Sequence, residues 1–73
     1  MDKIKKDIIE HIGVLSVSKN GWQKELNIVS WNERTAKYDI REWDSEHEKT
    51  GKGITLNDNE YRELVNLILE REN

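Results

Sequence analysis

The period of the hydrophobic pattern changes once along this chain, and that change constrains the fold more than any other feature. Between residues 8 and 56 apolar, aromatic and β-branched residues recur with the alternation of strands, broken by turn-forming residues. After Asn57 they recur with the spacing of a helix. In residues 8–17, Ile8, Ile12 and Val14 fall on one side and Ile9, Leu15 and Val17 on the other, which predicts a strand buried on both faces; residues 1–7 read as frayed. Ser18-Lys19-Asn20-Gly21 is a turn signal in which Asn-Gly supplies the positive φ angles of a tight hairpin. Residues 22–31 and 35–43 form the next two strands, with Asn32-Glu33-Arg34 between them. Residues 44–51 read as a polar loop leading to a short strand at 52–56.

Asn57-Asp58-Asn59-Glu60 has the form of a capping box, so a helix starts there. Tyr61, Leu64, Val65 and Ile68 make its apolar stripe, and Leu67 and Leu69 widen that stripe beyond what one small sheet needs to cover. Two readings of the surplus stand: a dimer contact through Leu64, Leu67 and Ile68, or the exposure of a fraying helix end.

A chain of 73 residues allows one domain, residues 1–73, and buries little more than roughly 60% of its unfolded surface. With no cysteine, a disulfide or a cysteine-held zinc cannot reinforce so small a core, which leaves a second subunit as the expected stabiliser. His11 and His47 lack ligand-spaced partners, so neither a metal nor any other cofactor is expected. Absence of cysteine suits a reducing compartment, and no stretch has the apolar length of a signal peptide or membrane span, so the reading is cytoplasmic, with nucleoid association if DNA is the partner.

The net charge of −3 opposes a phosphate-rich partner, but five acidic and two basic residues lie in 57–73, so the excess sits on the helix. In the third strand Lys37, Asp39, Arg41 and Trp43 share one face, and Ala36, Tyr38, Ile40 and Glu42 the other. Two cations beside a large aromatic form a surface that tracks a backbone and stacks bases; the competing reading packs Trp43 into a dimer seam. In the second strand Trp22, Lys24, Leu26, Ile28 and Ser30 share a face opposite Gln23, Glu25, Asn27, Val29 and Trp31. Each of these tryptophans also has a core reading.

Tyr38-Asp39-Ile40-Arg41-Glu42-Trp43, a polar loop, and Gly51-Lys52-Gly53-Ile54-Thr55-Leu56 followed by an acidic helix resemble the positive cofactor four transcriptional coactivators. Gly-Trp-x-Lys-Glu-Leu-Asn at Gly21 to Asn27 and Val-Ser-Trp-Asn at Val29 to Asn32 resemble the short bacterial YdbC-type branch. The resemblance implies an α+β fold, with a four-stranded curved antiparallel sheet followed by one C-terminal helix, homodimerisation largely through the helices, and channels for single-stranded DNA. By the same resemblance Arg41 and Lys52 match basic DNA contacts, Trp31 lies near a stacking aromatic and Trp43 matches a motif aromatic. The chain departs from the eukaryotic pattern at Asp44, where an aromatic is expected, and at Thr50-Gly51-Lys52, which has one basic residue fewer. Trp22, Lys24 and Lys37 join the candidate site on strand geometry alone.

No catalytic constellation emerges. Asp44-Ser45-Glu46-His47-Glu48 lacks ligand spacing and reads as a solvated loop, and the serines lack a nucleophile-elbow pattern. The expected function is therefore a non-enzymatic binder of single-stranded DNA, or of RNA, acting in transcription, with the transcription machinery as a further partner, or on strands exposed in replication and repair. The alternative is a protein-interaction module using the same aromatic face.

Overall fold

The computed structural model describes residues 4–73. Strands β1 (Lys6–Val17), β2 (Gln23–Trp31), β3 (Lys37–Trp43) and β4 (Thr50–Leu56) pair antiparallel in chain order into one sheet, and helix α1 (Asp58–Glu72) follows. This is the predicted α+β architecture, with local differences. Residues 1–3 of the segment read as frayed lie outside the described residues, but Lys6 and Asp7 pair with Trp31 and Ser30. The strand reaches back this far because Lys5 and Asn32 exchange hydrogen bonds, from the Lys5 N–H to Asn32 Oδ1 at 3.0 Å and from the Asn32 N–H to the Lys5 carbonyl at 2.7 Å.

Burial of β1 on both faces is overturned: Ile9, Leu15 and Val17 are 61%, 58% and 63% exposed. β1 is an edge strand with three register irregularities, and among the described residues no element lies over either of its faces. At the first turn only Gly21 takes a positive φ, of 88°, while the Asn20 side chain accepts from the Trp22 N–H at 3.2 Å. The left-handed pair falls instead at Asn32 and Glu33, between β2 and β3. β4 begins at Thr50, before the residues expected, and Gly53 lets it pass β3 closely, since a Cβ there would run into the Ile40 carbonyl and the Arg41 backbone.

Register divides the sheet into two unlike faces. Leu26 lies opposite Ile40 and Ile28 opposite Tyr38, and α1 rests on this side against β3 and β4. The capping box forms as expected, with the Glu60 N–H donating to Asn57 Oδ1 at 2.8 Å, and the Tyr61 ring stacks on Tyr38 at 3.6 Å. No helix among the described residues is long and apolar enough to cross a membrane.

On the inner side Glu25 lies opposite Arg41, Asn27 opposite Asp39 and Val29 opposite Lys37. Glu25, Asn27, Val29 and Asp39 are wholly buried although no helix covers them, because the sheet curls over its own inner face. Apolar residues contribute little: Val29 and Trp43 alone are fully buried hydrophobics among the described residues.

The buried Glu25 carboxylate is satisfied on both oxygens. Oε2 accepts from Gln23 Nε2 and pairs with His47 Nε2, each at 2.8 Å, and Oε1 accepts from Asn27 Nδ2 at 3.1 Å. His11 Nδ1 lies 2.7 Å from Asn27 Oδ1 and 3.5 Å from Glu25 Oε1, so this nitrogen carries the proton. Burial pushes the Glu25 carboxyl up, but the hydrogen bonds from Asn27, Gln23 and His47, with the His47 charge, outweigh it and hold the group below its ordinary 4.5. A carboxyl lowered by folding stabilises fully above its unfolded value and loses that contribution as pH falls through its folded value. Chemical unfolding followed from neutral pH to about pH 3 should therefore show wild-type stability falling below about pH 4.5, and Glu25→Gln should flatten this fall; parallel curves would refute the network's role.

Candidate nucleic-acid interface

Trp31 ends β2, whereas Trp43 lies opposite Gln23 at the far end of the β2–β3 ribbon. On a flat ribbon these positions would be roughly 25 Å apart, at about 3.3 Å per residue. Their rings instead stack at 6.4 Å between centroids and 17° between planes. The ribbon curves enough for the two indole side chains to meet across its inner face, beside the polar side chains buried there. His47, from the β3–β4 loop, continues the aromatic row 5.7 Å from Trp43.

Arg41 projects from the middle of β3 into this arch. Its Nε lies 3.1 and 3.3 Å from the Asp39 carboxylate oxygens, Nη2 donates to Asp39 Oδ2 at 3.1 Å, and Nη1 donates to the Gly51 carbonyl at 3.3 Å. Thr55 Oγ1 donates to Asp39 at 2.8 Å. The guanidinium carbon sits over the Trp31 ring, 4.9 Å from its centroid. Trp31, Arg41, Thr50 and Thr55, with Ile4, line an open groove of about 280 Å³. The indole N–H groups of Trp31 and Trp43 are buried without an acceptor.

The seven residues expected to meet nucleic acid divide between the two faces. Trp31, Arg41 and Trp43 come together, but Trp43 is only 1% exposed and packs in the core, as its core reading has it, instead of facing a ligand. Lys37 is exposed, opposite Val29 and by strand alternation on the same side. Trp22 and Lys24 lie on the helix side of β2: Lys24 faces Glu42, and the Trp22 ring abuts Gly51 and shares an open groove with Ser18, Lys19, Asn20 and Glu42. Lys52 is exposed on the edge strand β4, within the register irregularity between the Arg41–Gly53 and Trp43–Thr50 pairs. Of the expected dimer residues, Leu64 is half-buried, while Leu67 and Ile68 are 55% and 52% exposed.

Sequence reasoning passed over Asp39, Thr50 and Thr55, which hold or flank Arg41. The signal for Asp39 was present, since a carboxylate two residues from an arginine on one strand shares its face. It also treated residues 44–48 as solvated, whereas His47 turns inward through a positive φ of 58° to reach Glu25. Asp44 organises that loop, accepting from the N–H groups of Lys49 and Glu48, and these bonds hold its carboxyl below the ordinary value. Among the described residues no group of three or more His, Cys, Asp or Glu side chains is placed to hold a metal ion.

An uncharacterized protein of Treponema pallidum (strain Nichols) is 43% identical over 67 residues, a span covering 92% of this chain and 79% of that relative. Residues 18–67 match the family described as Transcriptional Coactivator p15 (PC4), a span that takes in β2, β3, β4 and α1 as far as Leu67. The sequence match and the four-stranded sheet with its trailing helix agree, and the chain belongs to the PC4 transcriptional coactivator family.

Proposed function

We propose that this protein binds single-stranded DNA along the Trp31–Arg41 groove and acts as a homodimeric regulator of transcription or of strands exposed in replication and repair. The observation that carries the reading is the Arg41 guanidinium lying over the Trp31 ring where both line an open groove, in a chain of a coactivator family. A flat aromatic and guanidinium surface binds bases with little regard to sequence, at roughly 1–3 kcal/mol per stacked base. Lys37 supplies charge beside it, and among the described residues neither Lys24, Lys37 nor Lys52 makes an ion pair, so their charges are available to phosphates. Lys52, on the edge strand, and Lys24 and Trp22 beyond it would meet a strand leaving the groove over β4.

The dimer reading is supported by the surface α1 leaves uncovered. Leu67, Ile68 and Leu69 are each more than half exposed, as is Ile54 on β4, beside a core of two fully buried apolar residues. Apolar surface of this kind on a chain this small is the usual mark of a partner subunit.

Titrating tryptophan fluorescence with oligo-dT at several salt concentrations tests the binding reading. Quenching is expected, and Lys37→Ala should reduce the slope of log affinity against log salt by about 0.7, the value for one single-strand phosphate contact. A flat, unquenched titration would pass the face to a protein partner. For the dimer, sedimentation of Leu67→Asp and Ile68→Asp should show monomers where the wild type is dimeric, because a carboxylate forced into an apolar seam is strongly disfavoured. Variants that remain dimeric would take α1 out of the interface.

A further inference from the structure

We infer that Arg41 contacts a nucleobase rather than a phosphate: its guanidinium is a planar layer of the stacking surface, and Asp39 holds its charge. The inference rests on the proposed binding of a single strand in this groove and assigns a role within it. A phosphate clamp needs a cation whose tip reaches solvent with donors to spare. Arg41 meets this need poorly, since its side chain is only 18% exposed and three of its five N–H groups already donate to Asp39 or to the Gly51 carbonyl.

Asp39 makes this arrangement durable. It is wholly buried, and an unpaired carboxylate there would be heavily penalised, so it draws the guanidinium inward and keeps it. Thr55 Oγ1 fixes one carboxylate oxygen, and the neighbouring Glu25 carboxylate is engaged with His47, Gln23 and Asn27, so Asp39 is the partner left for Arg41. What Arg41 offers the groove is its flat surface beside Trp31, whose ring in turn stacks with the buried Trp43. A cation already compensated inside the protein binds few counterions, so occupying it releases few.

The two roles separate in one set of measurements: affinity for oligo-dT and its salt dependence in wild type, Arg41→Lys and Lys37→Ala. Lysine keeps the charge and loses the plane. Arg41→Lys should weaken binding about tenfold, the scale of one lost stacking contact, with the wild-type salt slope retained, while Lys37→Ala lowers that slope by about 0.7. On a strand of the same length bearing abasic sites, wild type and Arg41→Lys should bind alike. Arg41→Lys at wild-type affinity, or an equal deficit on the abasic strand, would each show a contact that needs only the charge and overturn the inference. Far-ultraviolet circular dichroism excludes unfolding of the variant, and Arg41→Gln, which keeps a plane without the charge, gives the same distinction: near-wild-type slope supports stacking, and a lowered one overturns it. If wild type itself fails to bind oligo-dT, the underlying function is wrong, an outcome distinct from any of these.

Discussion

The stacked contact between Trp31 and Trp43 is the constraint on which the inner face depends. An antiparallel ribbon has no reason of its own to bring side chains from its opposite ends together, and the two indole rings meet at 6.4 Å between centroids across its inner face. Such a pair contributes about 0.5–1.5 kcal/mol beyond the area it buries, which is modest against the polar groups beside it. The closure works because those groups satisfy each other. Glu25 is matched by Gln23, Asn27 and the two histidines, and Asp39 by Arg41 and Thr55. Without the arch these carboxylates would be hydrated; without their partners the arch would bury two bare charges.

This arrangement gives the two faces different work. The helix side carries Leu26, Ile28, Ile40 and Ile54, which α1 covers in part, and Ile54 there stays more than half exposed. The inner side carries charge that is neutralised internally, so the groove presents flat rings and hydroxyls with lysines around it. An acidic chain can still meet a polyanion on such a surface, because its excess negative charge lies in the segment that forms α1. On this account stacking contributes more to affinity than net charge does.

Most of the architecture was legible because it follows from local rules. Alternation marks the strands, Asn57 and Glu60 mark the helix start, and both are properties of neighbouring residues. What alternation cannot supply is the relation between strands: it sorts each strand into two faces without saying which face of β2 joins which face of β3. Only the register of Glu25 with Arg41 puts Trp31 beside Arg41 and sends Trp22 and Lys24 to the other side. The partnership of His47 with Glu25 spans 22 residues and looked from sequence like a charged loop. β1 misled in another way, since its apolar residues read as core but no element among the described residues covers them.

The central claim is that a single strand lies in the groove beside Trp31. The most direct measurement is the set of three indole N–H resonances in a ¹H–¹⁵N correlation spectrum recorded during titration with oligo-dT, one for each tryptophan. The account predicts that the Trp31 resonance moves first and furthest, with the amides of Thr50 and Thr55, and that Trp22 responds less. Saturable shifts centred on Trp22 with Trp31 unmoved, or no shifts at all, would contradict it.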